Sequence, residues 1–286
     1  MYILFPTDPI LKKNPDQFFL KEIEAAKKAG FDVGLVCDGG KNNLPIGPGD
    51  VLYRGWILSL DNYAKMADGV NNCGKNLITK LEEYQFCNQF PCWYPRLGVK
   101  NTPKSIWFPG SKFDLDEIVS KLASEFGDKP LIVKDYVKSR CYEWEDACYI
   151  PSASSSVDIK RVVNNFLRLQ SCDLEGGLVF REYVPLKCSG KHPKTDLPLP
   201  NEHRLFVYKG KILTQSIRWD SRDYSNSEKP PQQFVENIIP FVSSMFFAVD
   251  VAETTNGSWT IIELNDGGTA SIITSPEEFY SCLAVI

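Results

Sequence analysis

Asp250, Glu263 and Asn265 are the residues whose types and spacing most readily do chemistry: two carboxylates and an amide oxygen on neighbouring stretches of apolar, β-prone sequence. Between them lies Asn256-Gly257, the dipeptide that most strongly marks a two-residue type I′ hairpin, because both central positions need positive φ. With those residues as the loop, Thr255 pairs with Ser258, and counting outward sets Val251 opposite Ile262 and Asp250 opposite Glu263. The strand period of two then puts Asn265 on the face of Glu263, with Ile262 and Leu264 turned to the other side. Like charges facing each other on a sheet repel by ~0.2–1 kcal/mol when exposed and more when buried, so a positive partner is expected. These hard oxygen donors suit Mg2+, which keeps its other positions for waters and nucleotide phosphates. A solvated acidic hairpin, or one bridged by lysine, is the other reading the spacing allows.

The elements that must hold these groups follow from patterning. FFAVDV and WTIIELN read as the paired strands, and HRLFVYKGKILTQSIRW as a hairpin turning at Lys209-Gly210. The chain opens as strand, helix, strand: YILFP, then Phe19, Leu20, Ile23 and Ala26 at helical spacing between Asp16 and Lys28, a stop at Gly30, and FDVGLV. VLYRGWIL reads as a third strand, which places a small α/β domain over residues 1–95. A second region, 96–180, holds a helix from Leu115 to Phe126, the strand LIVKDY after Asp128-Lys129-Pro130, and a helix from Val157 to Leu169. The strand GLVFREYV crosses from this region into the third, 181–286, and enters a connector, where the segment from Lys187 to Asn201, with three prolines, predicts a loop.

With 43% apolar and 24% charged residues and no run approaching the roughly 20 apolar residues of a membrane helix, the sequence predicts a soluble protein without a membrane partner. The start lacks a basic segment and runs into Asp8 and two lysines, so no secretory signal is expected. Nine cysteines, an odd number without a CxxC pair, read as reduced thiols in a cytoplasmic protein. Only His192 and His203 are present, which disfavours zinc. A net charge of −4 argues against nucleic-acid binding. Basic clusters remain at Lys134, Lys138 and Arg140, and at Arg204 with Arg218.

FFAVDVAETTNGSWTIIELNDGG resembles the closing motif of the ATP-grasp superfamily, in which an Asp on one strand and a Glu-x-Asn on the next hold magnesium against ATP. Upstream features occur in the family's order: Thr102-Pro103-Lys104, the strand lysine of LIVKDY, a hinge in VFREYV, and the acidic-x-Arg start of EHRLFV. The resemblance covers about residues 75–270. It implies an α/β (α+β) class, with two α+β subdomains clasping ATP after a small βαβ pre-ATP-grasp domain. Within the superfamily the chain is similar to predicted bacterial and phage peptide-ligase-like proteins and to the eukaryotic assembly protein for translation initiation factor two. The second likeness rests on IVKDYVKSRCYEWEDACYI with Asp146-Ala147, and it keeps open an ATP-binding assembly factor or chaperone that ligates nothing.

The resemblance implies ATP and Mg2+ as cofactors, with Asp250, Glu263 and Asn265 on the metal. It puts Lys134 on phosphate, and Lys104 or Lys80 at the family's earlier lysine; each taken alone reads more often as a solvated surface lysine. Residues 135–150 lack the glycines of the family's phosphate lid, leaving Lys138, Ser139 and Arg140 to cover the phosphates. Backbone groups of Glu182 and Val184 would hold adenine, in a slot lined by Ile132, Val179 or the Leu205 region. Glu202 would meet ribose or substrate, or be a surface carboxylate. Arg204 and Arg218 are the catalytic candidates, since a planar guanidinium suits a carboxylate or phosphate; the alternative pairs them with Asp220, Asp223 or the metal carboxylates. The implied reaction joins a carboxylate to an amine through an acylphosphate, a peptide or protein being one candidate substrate. The loop at 187–201 and Tyr53-Arg54-Gly55-Trp56 are expected to shape the substrate pocket.

Overall fold

A computed structural model describes residues 1–191, 198–218 and 227–286; His192, Asp220, Asp223 and the 192–197 part of the expected loop lie outside them. The chain divides into two compact units, one of Met1–Cys87, Cys188–Glu253 and Ile262–Ile286, the other of Asn88–Lys187 and Thr254–Ile261.

In the first unit, Ile3 and Phe5 enter one core and Leu4 another, the pattern of a parallel strand covered on both faces. The elements are β1 (Tyr2–Pro6), α1 (Leu20–Lys28), β2 (Asp32–Val36), β3 (Asp50–Tyr53), α2 (Leu60–Asn72), β4 (Asn76–Leu77) and α3 (Leu81–Asn88). The four strands form a parallel sheet in the order β2-β1-β3-β4. The third strand is shorter than expected. Arg54 N–H still reaches Leu4 O at 2.9 Å, but Gly55 N–H bonds to Gly268 O at 3.0 Å, and the chain leaves the sheet there.

The second unit contains α4 (Phe90–Leu97), β5 (Ser105–Pro109), α5 (Leu115–Phe126), β6 (Leu131–Asp135), α6 (Trp144–Ala147), β7 (Tyr149–Ile150), α7 (Ser156–Gln170) and β8 (Gly177–Glu182). Asp114 caps α5 by accepting from the N–H groups of Asp116 and Glu117, and Gly127, at φ +60°, follows its last turn. Ser155 caps α7, whose stripe of Ile159, Val162, Val163 and Phe166 packs on Leu131 and Val133 of β6 and Leu178 and Phe180 of β8. Each such side chain contributes roughly 1.5–3 kcal/mol on burial, before conformational entropy is subtracted. The strands run antiparallel in the order β5-β8-β6-β7.

The rest of the chain adds β9 (Cys188–Lys191), β10 (Pro198–Pro200), β11 (Glu202–Tyr208), β12 (Lys211–Ile217), α8 (Gln232–Ile238), β13 (Phe246–Glu253), β14 (Trp259–Asp266) and α9 (Pro276–Ala284). The β11–β12 hairpin turns at Lys209 (φ 50°) and Gly210 (φ 76°), between paired Tyr208 and Lys211, as Lys-Gly predicts. The sheet order is β12-β11-β13-β14. Phe206, Tyr208, Phe246, Phe279 and Leu283 share one core with Ile3, Phe5 and Ile23, so residues read as the first and third sequence regions bury each other's apolar surface. Among the described residues, no helix is long and apolar enough to cross a membrane.

Candidate functional site

The expected hairpin around the acidic residues forms, with a different turn. Gly257 N–H bonds to Thr254 O at 2.9 Å and Thr254 N–H to Ser258 O at 2.8 Å, so Thr254, not Thr255, closes it, and Thr255, Asn256 and Gly257 form a three-residue loop. The type I′ expectation fails because Asn256 does not take positive φ; only Gly257, at +82°, does. The Asn256 carboxamide accepts from Ser258 N–H at 3.0 Å and from Thr254 Oγ1 at 2.6 Å, which holds the alternative turn. At the far end, Phe246 O accepts from Gly267 N–H at 3.1 Å, the partner the expected alignment gives.

On β11, Glu202 and Arg204 share a face by strand period, and Arg204 sits directly opposite Asp250 of β13. Arg204 grips that carboxylate with both arms, Nε to Oδ1 and Nη2 to Oδ2, each at 2.7 Å. Both residues are almost fully buried, at 5% and 2% side-chain exposure, while Arg218, about one-third exposed, adds Nε at 3.4 Å from Asp250 Oδ2. Arg218 N–H bonds to Glu202 O at 2.8 Å, which fixes its backbone just beyond β12. The expected positive partner of the acidic strands is thus an arginine pair. The arrangement also realises the alternative in which Arg204 pairs with a carboxylate expected on the metal, the other partners considered, Asp220 and Asp223, being outside the described residues. Burial works against the charge on Arg204, but the pull of Asp250, joined by Glu263 and Glu202, leaves its pKa above the ordinary value. Glu263 therefore lies within electrostatic reach of the guanidinium.

The donor set can be tested against Mg2+. Among the described residues Asn265 Nδ2 is buried without a hydrogen-bond partner; rotating the amide about its last bond brings oxygen to that place, where a cation would satisfy it. Arg204 occupies one lone pair on each Asp250 oxygen and Arg218 approaches Oδ2, which leaves a lone pair on Oδ1 for a cation. Among the described residues, no three His, Cys, Asp or Glu side chains gather as a metal cage. Mg2+ is commonly held by one or two carboxylates, with phosphates and water completing its shell. The residues fit Mg2+. Next along the chain, the Asp266 carboxyl is pushed up to about 7 by burial, against hydrogen bonds from Gly268 N–H and the Thr79 hydroxyl.

In the second unit, Lys134 lies mid-strand on β6, 6% exposed. Pairing with β8 sets Lys134 beside Val179 and Ile132 beside Arg181, so one sheet face carries Lys134 with both apolar residues expected near adenine. Leu205, the third adenine candidate, belongs to the other unit, where it faces away from Arg204 and Asp250. Lys138 is exposed beyond a tight turn in which Asp135 Oδ1 accepts from the N–H groups of Val137 and Lys138. Arg140 is turned to the end of α7, with Nε on Gln170 Oε1 at 2.8 Å and Nη2 on Leu169 O. Lys104 Nζ reaches Glu125 O at 2.7 Å and Glu125 Oε2 at 3.0 Å, over the Phe126 ring, and so is engaged at the end of α5. Lys80 is exposed and bonded to Asn76. The Glu182 carboxylate meets Lys129 at 2.8 Å; the Glu182 and Tyr183 N–H groups bond to Lys104 O and Pro130 O, and Val184 follows, half-buried.

Sequence reasoning missed the aromatic set beside this hinge: Trp144 stacks on Tyr149 at 5.3 Å, and the Tyr183 ring meets both edge-on. Alternating aromatics around an apolar strand end were the available signal. It also placed Arg54 only loosely near a pocket, whereas Arg54 is 1% exposed and fully engaged.

A family model for an ATP-grasp domain, the third family of its clade, matches residues 125–283, more than half of the chain. The chain belongs to that family. Its ATP-grasp fold is shared with solved structures at low identity. The RimK domain protein ATP-grasp from Sphaerobacter thermophilus has a TM-score of 0.63 at 15% identity, covering 99% of this chain and 98% of that one. D-cycloserine synthetase DcsG has a TM-score of 0.63 at 13% identity, covering 100% and 99%. The ATP-grasp ligase PsnB, complexed with minimal precursor, Mg and ADP, has a TM-score of 0.57 at 12% identity, covering 99% and 95%. No curated protein matches the sequence.

Proposed function

We propose that this ATP-grasp protein is an ATP-dependent carboxylate–amine ligase that works with Mg2+ through an acylphosphate. The observation that carries the reading is the buried Arg204–Asp250 pair with Arg218 beside it, together with an Asn265 amide nitrogen that is buried without a hydrogen-bond partner among the described residues. Such a cluster of guanidinium and carboxylate groups suits phosphoryl transfer, where positioning and charge stabilisation do the work. That the structurally similar PsnB was solved with Mg and ADP supports the cofactor assignment.

Asp250, Glu263 and Asn265 would hold the metal, which when bound would neutralise phosphate charge. Lys134 supplies a buried positive charge to the phosphates, and the hinge leaves Glu182 O and Val184 N–H for the adenine edge. Ile132, on the face of Lys134, offers apolar surface to the base. Arg218, the more exposed of the two arginines, meets the reacting carboxylate or the transferred phosphoryl group, while Arg204 holds Asp250 in place. The carboxylate oxygen attacks the γ-phosphorus, the bond to the β–γ bridging oxygen breaks, and ADP leaves. The amine then attacks the acyl carbon, gives up a proton, and expels phosphate. Lys104 keeps to its contact with Glu125, so Lys134 is the phosphate lysine of this reading.

Titration calorimetry with ATP, with and without Mg2+, tests the proposal directly. Mg2+-dependent binding is expected in the wild type, and its loss is expected in a folded Asp250→Ala variant. ADP release with a panel of amino acids and peptides as acceptors then separates ligation from assembly. Tight binding with no ADP formed, together with a stable protein partner in pull-downs, would favour the assembly-factor alternative. No binding of ATP in the presence of Mg2+ would end both.

A further inference from the structure

Arg54 contributes to none of the steps above, yet it is one of the largest fully buried side chains in the molecule. Its guanidinium is used on both sides. One side meets the Glu22 carboxylate, Nε to Oε2 and Nη2 to Oε1, each at 3.1 Å, and Tyr280 donates its hydroxyl hydrogen to the same Glu22 at 3.0 Å. On the other side, Nη1 donates to Gly267 O at 2.7 Å and to Ala270 O at 2.9 Å, and the Phe279 ring lies 5.5 Å away. A buried, bidentate pair of this kind is rigid and costly to break by removing one partner.

The two carbonyls belong to the turn that follows Asp266, the last residue of β14 and the chain neighbour of Asn265. This turn is closed on itself by Asp266: Gly268 N–H bonds to its Oδ2 at 2.9 Å, and the N–H groups of Thr269 and Ala270 bond to its O at 3.2 and 3.1 Å. It is also wedged in place, since a Cβ on Gly268 would lie 2.5 Å from Tyr53 O and one on Gly267 2.7 Å from the Phe246 ring. One residue past Ala270, Ser271 O accepts from Arg204 Nη1 at 3.2 Å, and Arg204 is the residue that grips Asp250. The turn thus joins Asn265 at one end to the Arg204–Asp250 pair at the other, and Arg54 holds its middle.

We propose that Arg54 is a positioning residue: through the Gly267–Ala270 turn it sets where Asn265 and the Arg204–Asp250 pair stand relative to each other, and so the affinity of the site for its divalent ion. The part concerning the ion rests on the function proposed above; the hold on the turn does not. A side chain that orients metal ligands from behind acts through geometry rather than contact, and losing it costs about 10- to 100-fold in metal affinity.

Two variants test this. Arg54→Lys keeps the charge and loses the fork, and Tyr280→Phe keeps the packing and removes one bond to Glu22. In Arg54→Lys, hydrogen exchange at the N–H groups of Gly268, Thr269 and Ala270 is expected to quicken about tenfold while exchange in β13 stays as it was. The affinity for Mn2+ in the presence of ADP, read from water-proton relaxation, is expected to fall about 10- to 100-fold, with a smaller fall in Tyr280→Phe. A folded Arg54→Lys variant with wild-type exchange in the turn overturns the proposal. So does one that melts earlier but binds Mn2+ as the wild type does, because Arg54 is then a stability element only. A wild type that takes up no Mn2+ with ADP sinks the ligase reading, and the exchange rates alone then decide whether Arg54 governs the turn.

Discussion

Arg204→Met leaves the Asp250 carboxylate buried at 2% exposure with, among the described residues, Arg218, 3.4 Å away and partly in solvent, to balance it. Removing one partner of a buried pair costs ~3–5 kcal/mol, and the remaining arginine puts this case at the lower end, about 3 kcal/mol. Asp250→Asn is expected to cost a similar ~3 kcal/mol, because the Arg204 guanidinium then keeps only Ser271 O and the more distant acidic groups. With both charges removed neither penalty persists, so Arg204→Met/Asp250→Asn is expected to be no worse than either single variant, a coupling of ~3 kcal/mol. For a chain of this size, 3 kcal/mol is roughly 6 °C in Tm. Urea melts followed by tryptophan fluorescence, in the presence of EDTA, measure the cycle. Millimolar Mg2+ should then stabilise Arg204→Met more than the wild type, since the carboxylate no longer has a guanidinium competing for it. Single-variant losses that simply add in the double variant, within ~0.5 kcal/mol, would refute the claim that these charges sustain each other.

Two further outcomes follow from burial. The His203 pKa is pushed below 6.5 by burial, which outweighs the hydrogen bond to Glu228 O, so the unfolded chain binds a proton that the folded one resists. Stability is therefore full above pH 6.5 and lost as pH falls from there toward the folded pKa; His203→Gln should flatten that part of a stability-against-pH curve, and an unchanged slope would show that other groups set it. The Cys148 thiol is pushed up to about 12 by burial and Cys87 also stands well above its usual value, whereas Cys141, Cys172 and Cys188 are exposed. Maleimide at pH 8 followed by peptide mapping should label those three first and reach Cys87 and Cys148 only on unfolding; early labelling of either buried thiol would contradict the packing around it.

The order of elements was legible in the sequence because each depends on neighbours along the chain. The short apolar run Ile3-Leu4-Phe5, the apolar stripe of α7, the Lys209-Gly210 turn and the Glu-x-Asn motif are all set by residues within a few positions of one another. The family could be read from such local signals. What escaped the sequence were choices among partners far apart in the chain. Asn256-Gly257 predicts a type I′ turn by itself, but side-chain bonds to Thr254 and Ser258 moved the hairpin closure by one residue. Lys104 and Lys134 look alike as lysines near strands, yet Glu125 engages one while β6 buries the other. Arg204 had several acidic partners available, and only the pairing of β11 with β13 set Asp250 directly opposite it. Arg54 carries no motif; its meaning comes from Glu22, Tyr280 and the Gly267–Ala270 turn, which meet only in the core that the two ends of the chain build together. Spacing decides which face a side chain takes, whereas its partner depends on what the folded chain brings to that face, and that depends on the packing of every element at once.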